Sequence, residues 1–201
     1  MTRLAENRNR VAHGITHEQC RGVPVPDVPT IRAATVADAA GIAEVHVRSW
    51  QAAYAGQLPE ESLRSLSVRD RQRFWERVLS DPHQAGRVLV ADVGNTVGGF
   101  VSVGPCRDDD AGTHAGELLA IYLHPRYWNC GLGRRLHDEG MATLHGDGYR
   151  TVTLWVLRTN TRARRFYEQT GWSRDGTTKV DHIGGIALDE VRYVKCFDPE
   201  L

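Results

Sequence analysis

The spacing of hydrophobic and polar positions changes several times along the chain, and each change marks an element. Near Ile31 the folded part begins. Thr35-Val36-Ala37-Asp38 has the form of a capping box, and Ile42, Val45, His46 and Trp50 recur behind it at helical spacing. Pro59-Glu60-Glu61 opens a second, short helix, because the fixed φ of proline and its missing N–H suit a first helical turn. A third helix carries Phe74, Trp75, Val78 and Leu79 on one face and stops before Pro82. Arg87 to Val93 and Thr96 to Val103 read as a hairpin around Gly94-Asn95. Glu117 to Leu123 is a nearly continuous apolar run, as in a buried central strand. A glycine-containing loop then enters a helix from Gly133 to about Leu144. Thr151 to Leu157 alternates Val152, Leu154 and Val156 with Thr151, Thr153 and Trp155, which is strand spacing. Thr161 to Thr170 is a helix closed by Gly171, and Glu190 to Phe197 supplies at least one more strand. The pattern is mixed α/β, with hairpins on both sides of a β-loop-α-β unit.

Residues 1–30 stand apart as a flexible N-terminal extension, leaving 31–201 as one domain. The segment is polar and ends in Pro24-Val25-Pro26-Asp27-Val28-Pro29, a proline density that favours an extended linker. His13 and His17 are four apart, but bare spacing in such a tail does not make a metal site, and no metal is expected. The balance of 25 basic and 25 acidic side chains argues against binding nucleic acid by bulk charge. Apolar runs are only strand-length, so no membrane span is expected, and the N-terminus has no apolar core of a signal peptide. Cys20, Cys106, Cys130 and Cys196 form no CxxC pair, so the simplest setting is reduced and cytoplasmic. Asp108-Asp109-Asp110 reads as a solvated loop, since adjacent carboxylates point in different directions.

Chemistry concentrates in two stretches. In Leu123-His124-Pro125-Arg126-Tyr127-Trp128-Asn129-Cys130-Gly131-Leu132-Gly133-Arg134-Arg135, an apolar strand runs through a glycine loop straight into a helix. Glycine lets backbone amides approach a ligand, and the helix start offers unpaired N–H groups with partial positive charge, which suits a phosphate or pyrophosphate. Arginines in that first turn run against the usual acidic preference and make sense beside an anion. Gly-Lys-Ser/Thr is absent, which argues against a Walker-type loop. In the second stretch, Asn160 can cap a helix on which Ala163, Phe166, Tyr167 and Thr170 share one face.

Together these stretches resemble the GNAT family of acyl-CoA-dependent N-acyltransferases. Trp128 to Gly133 is similar to the family's Arg/Gln-x-x-Gly-x-Gly/Ala loop, and Asn160-x-x-Ala-x-x-Phe-Tyr-Glu-x-x-Gly-Trp to its second motif. The resemblance covers roughly residues 31–197. It departs at Trp128, where Arg or Gln is usual, and at Asn129-Cys130; Arg134 or Arg135 could supply the missing charge. It implies the GNAT fold, a central mixed β-sheet with a splayed parallel strand pair and flanking helices. It also implies acetyl-CoA as cosubstrate, held by Ile121, Tyr122 and Leu123 in the strand gap and by Asn129, Cys130, Gly131, Leu132, Gly133 and Arg134 at the loop, with Asn160 and Tyr167 from the second motif. Direct transfer needs no acyl-enzyme, so Cys130 is not required as a nucleophile.

The implied reaction is attack of a primary amine on the thioester. The amine, with a pKa near 10.4, must lose a proton, and the departing thiolate, near 8.5, must gain or share one. Tyr167 matches the family tyrosine that serves the leaving sulfur. Glu117 lies where histone-acetylating relatives carry a catalytic glutamate, and its alternative is an exposed strand-end acid. His46, His124 and His182 are weaker candidates. Trp50 and Tyr54, one turn apart, either line an acceptor pocket or pack the first helix. Asp181, Asp189 and Glu190 could attract an ammonium group. The expected enzyme acetylates a small-molecule or amino-acid-like amine. Its alternatives are a protein N-terminal or lysine acetyltransferase and a non-catalytic CoA-binding regulator. A homodimer is compatible with the resemblance.

Overall fold

The computed structural model describes residues 29–183 and 186–197. The expected N-terminal extension, with His13, His17 and Cys20, lies outside the described residues except for Pro29 and Thr30. A strand not foreseen from the sequence, β1 (Thr30–Ala33), comes first and leads through a 3-10 turn into α1 (Ala39–Ala53). The turn is pinned as the capping pattern suggested. Thr35 N–H donates to Asp38 Oδ2 at 2.7 Å, while Arg32 grips the same carboxylate at 2.8 and 2.9 Å. After α2 (Glu60–Arg64), Ser67 caps α3 (Val68–Ser80) by accepting from Asp70 N–H at 3.2 Å. Trp75 is buried on α3, but Phe74, one position round the helix, is 39% exposed, so the apolar face is narrower than expected.

β2 (Arg87–Asp92) and β3 (Val97–Pro105) form the foreseen hairpin, with Gly94 and Asn95 both at positive φ, 58° and 62°. There follow β4 (Ala115–Leu123), α4 (Leu132–Gly146), β5 (Thr151–Leu157), α5 (Thr161–Gln169) and a long final hairpin of β6 (Ser173–Ile183) and β7 (Ile186–Cys196). A hairpin on this side was expected, with only its β7 half located; β6 is a polar edge strand with no apolar run to betray it.

Among the described residues seven strands form one sheet in the order β1-β2-β3-β4-β5-β7-β6, antiparallel except for the central β4–β5 pair. α4 and α5 bury Leu132, Leu136, Leu144 and Tyr167 on one face. α1 and α3 bury Ile42, Val45 and Trp75 on the other. This is the expected mixed sheet with flanking helices.

Two features of β4 shape the site. It pairs with β5 only through Ala115, Gly116 and Glu117, opposite Thr151, Val152 and Thr153, and beyond that the two strands part. It also carries a bulge: Ser102 of β3 faces Ala120 and Val103 faces Leu118, leaving Leu119 as the extra residue. The bulge reverses the side-chain phase, so Leu118, Ile121 and Leu123 reach the α4 face while Ala120 and Tyr122 reach the α1 face. The Asp108-Asp109-Asp110 loop is not simply solvated. Arg192 of β7 donates to Asp108 Oδ2 at 3.1 Å and to Asp110 at 2.6 and 2.7 Å, tying the loop across the sheet.

Candidate active site

Where β4 and β5 part, a cavity of about 740 Å³ opens and extends from the start of α4 to the final hairpin. Ile121, Tyr122 and Leu123 line it, on the stretch of β4 that no longer pairs with β5. A strand edge of this kind can be completed by an extended, amide-bearing ligand.

The loop before α4 is shaped by two left-handed residues, Asn129 at φ 61° and Gly131 at φ 83°. The second sits at the N-cap, where the backbone must reverse, and glycine does so without a Cβ penalty. The N–H groups of Gly131, Leu132, Gly133 and Arg134 have no acceptor among the described residues, and the first turn of α4 holds no acid. Unpaired donors at the positive end of a 15-residue helix form a natural anion cradle. At Gly133 an added Cβ would lie 3.4 Å from Leu123 Cδ1, so the helix start and the end of β4 nearly touch. This donor set fits the pyrophosphate of a CoA-type ligand, and the unpaired β4 edge fits its amide-bearing arm.

The expected loop residues divide. Asn129, Gly131, Gly133 and Arg134 line the cavity. Cys130 and Leu132 turn their side chains into the core, 3% and 1% exposed, and Cys130 Sγ donates to Tyr127 O at 3.0 Å. Arg134 is paired with Asp138 at 2.9 Å, and Arg135 donates to Pro29 O at 2.6 Å, away from the loop.

From α5, Asn160 Oδ1 accepts from Ala163 N–H at 3.1 Å and so caps the helix at the cavity wall. Tyr167, one face further along, is buried beside Phe166, Trp172 and Tyr193 and still reaches the cavity. Burial pushes its phenol well above the ordinary tyrosine pKa, so it stays protonated.

At the other end, Trp50 and Tyr54 meet edge to face at 5.1 Å and pack with Leu157 and Leu188. The pair is buried and also lines the cavity. Burial also raises the Tyr54 phenol, with the neighbouring Asn160 amide opposing it. Glu190 lines this end half-buried, 3.5 Å from Lys179 Nζ. Burial raises its pKa, Lys179 pulls it down, and Asp181 and Glu117 add to the rise. Asp181 lines the cavity as well.

Glu117 is 2% exposed, on β4 where the strands part. Its carboxylate is not left alone. Arg107 donates to it from the backbone N–H (3.2 Å), Nε (2.9 Å) and Nη2 (2.7 Å). Sequence reasoning missed Arg107, which comes from an irregular loop, and Trp155. The signal for Trp155 was a tryptophan on the polar phase of β5. Its indole N–H donates to Asp108 Oδ1 at 2.9 Å, and Lys179 Nζ lies 4.2 Å from the ring centroid. Among the described residues no cluster of His, Cys, Asp and Glu could hold a metal, and no helix is long and apolar enough to cross a membrane.

The family model for the acetyltransferase (GNAT) family matches residues 45–172. The chain is 33% identical over 163 residues to the N-acetyltransferase YuaI of Bacillus subtilis strain 168, a match covering 81% of this chain and 90% of that one. It is 27% identical to the spermidine N(1)-acetyltransferase of Thermoplasma acidophilum, over 76% of this chain and 93% of the relative. Among solved structures, the PaiA N-acetyltransferase of Thermoplasma acidophilum in complex with coenzyme A shares the fold. Its TM-score is 0.65 at 24% identity, covering 84% of this chain and 99% of that one.

Proposed function

The chain belongs to the acetyltransferase (GNAT) family, and from that premise we propose that it transfers the acetyl group of acetyl-CoA directly to a primary amine carried by a small molecule. One observation carries the reading. A single cavity joins the unpaired edge of β4, the free N–H groups of α4, the protonated Tyr167 and the carboxylate of Glu190.

When bound, acetyl-CoA supplies an activated acetyl thioester. The α4 amides hold its pyrophosphate, and the β4 edge from Ile121 to Leu123 orients its arm. Burial keeps the Tyr167 hydroxyl protonated, so it donates a hydrogen bond to the leaving sulfur as thiolate charge develops, and the released thiolate takes its proton from solvent. Trp50, Tyr54 and Leu188 exclude water around the acceptor. Glu190 attracts the acceptor's ammonium group and takes its proton; partial burial raises its basicity toward that task. Glu117 lies on the strand that the resemblance singled out, but its two oxygens are occupied by Arg107. We therefore assign it to fixing the Arg107 loop beside the cavity, with Glu190 as the proton acceptor. Carboxylates at the acceptor end and kinship with a spermidine N(1)-acetyltransferase both support a cationic acceptor.

Release of free CoA thiol from acetyl-CoA, followed across a panel of polyamines, arylalkylamines and amino acids, tests the proposal. Turnover with a small amine, matched by acetylated product, supports it. Acetylated protein as the product from cell extract, with no small amine turned over, would instead favour a protein acceptor. Binding without turnover would favour a regulator.

A further inference from the structure

The phosphate loop lacks a basic side chain at its first position, where Trp128 stands, and neither arginine of the following helix turn fills the gap. Arg135 reaches back to Pro29, and Arg134 is engaged by Asp138. The structure brings a cation in from another element. Trp128 Nε1 donates to Leu123 O at 3.1 Å, which fixes its indole at the end of β4. Arg162, in the first turn of α5, lies on that indole with Cζ 3.8 Å from the ring centroid, and its Nη2 donates to Asn129 Oδ1 at 3.2 Å. The guanidinium thus spans from α5 to the loop, and Arg162, Trp128 and Asn129 all line the one cavity.

Among the described residues no carboxylate balances the charge placed there. Along the cavity, Arg107 and Arg134 are each paired with a carboxylate, whereas Arg162 and Arg165 have no carboxylate partner among the described residues; of these two it is Arg162 that stacks on Trp128 and bonds to Asn129. It sits in the first turn of α5, where the helix dipole disfavours a cation and no acid offsets it. The neighbouring groups desolvate it enough to lower its pKa from the ordinary arginine value. A stacked guanidinium keeps its planar fork of donors free at the edges, and phosphate oxygens suit that fork.

We propose that Arg162, seated on Trp128, is a pyrophosphate-binding residue of the acetyl-CoA site and takes the place of the basic side chain that the loop lacks. The proposal rests on the acetyl-CoA reading above.

Titration calorimetry with CoA and with dephospho-CoA, which keeps the pyrophosphate but lacks the 3′-phosphate, tests it on wild type, Arg162→Gln and Arg162→Lys. Arg162→Gln should weaken CoA about 10- to 100-fold, as for loss of a charge-assisted hydrogen bond, with an equal penalty toward dephospho-CoA and a shallower dependence of affinity on salt. Arg162→Lys should recover only part of the loss, because an ammonium neither stacks nor forks. Unfolding midpoints of both variants should match wild type, as expected for a residue at the cavity rim. CoA affinity within twofold of wild type in Arg162→Gln would overturn the proposal, and so would a penalty that vanishes with dephospho-CoA. Wild-type protein that binds neither ligand would overturn the acetyl-CoA reading itself, a result distinct from both.

Discussion

Glu117 and Arg107 form a two-pronged ion pair at the point where β4 leaves β5, with Arg107 Nη2 2.7 Å from Oε1 and Nε 2.9 Å from Oε2. The carboxylate is buried and the arginine side chain is 67% exposed, so the pair anchors a surface loop to the sheet interior. Glu117→Gln removes the charge from the buried partner while Arg107 can turn to water. The expected cost is therefore about 1–2 kcal/mol, below that of a fully buried pair. Urea unfolding midpoints measure it. An unchanged midpoint would show that the pair does not hold the loop.

Glu190 carries the opposite prediction, kinetic rather than structural. Its pKa is raised chiefly by burial, which makes it a better proton acceptor than an exposed glutamate. Glu190→Gln should lower kcat/KM by about 100-fold near neutral pH. The deficit should shrink as pH approaches about 10, where free alkylamine becomes abundant. A pH–rate profile lowered equally at every pH would argue against a proton-accepting role.

Folding stability should fall in mild acid. His46 is buried among Trp50, Trp75, Phe100 and Tyr122, and burial lowers its pKa to about 3. His137 is lowered too, chiefly by burial, with Asp138 opposing; its Nε2 accepts from Trp172 N–H at 2.9 Å, a bond only the unprotonated nitrogen can make. The unfolded chain takes up these protons near pH 6.5, and the folded chain does so only at lower pH. Stability is thus full above about 6.5 and declines below it, by up to about 1.4 kcal/mol per pH unit for each histidine. Unfolding free energies at pH 7, 6 and 5 check the slope, and a flat profile would contradict burial of the neutral rings.

Much of this was legible in the sequence because it lies in short, local patterns. The loop glycines, the Asn160 cap and the strand–loop–helix order each follow from neighbours in the chain. The splay does not. Leu118 to Leu123 is almost uniformly apolar, so the phase reversal at Leu119 leaves no trace in hydropathy, and where β4 parts from β5 is a matter of pairing. Arg107, Arg162 and Arg192 were illegible for a related reason: surface-type residues acquire meaning only from distant partners, Glu117, Trp128 and Asp110. β6 could not be placed within the expected C-terminal hairpin because a polar edge strand has no buried face to impose alternation.

Gly133 offers a separate test of the loop. Its backbone is helical, and an added Cβ would meet Leu123 at an ordinary 3.4 Å, whereas Gly131 at φ 83° would be strained by any side chain. Gly133→Val should therefore fold, with helix propensity slightly favouring valine and crowding against Leu123 opposing it, for a net stability change within about 1 kcal/mol. Its branched side chain should also weaken acetyl-CoA binding at least 10-fold by intruding on the α4 amides. Calorimetry beside a thermal melt separates the two effects. A folded variant with wild-type affinity would move the pyrophosphate away from this helix.

The most direct measurement of the account is amine-dependent CoA release by wild type and Tyr167→Phe, with acetyl-CoA affinity determined in parallel. The substitution keeps the buried ring among Phe166, Trp172 and Tyr193 and removes only the hydroxyl at the cavity. The account predicts a fall in kcat of about 100-fold or more with acetyl-CoA affinity within twofold of wild type. Wild-type turnover in Tyr167→Phe would contradict it.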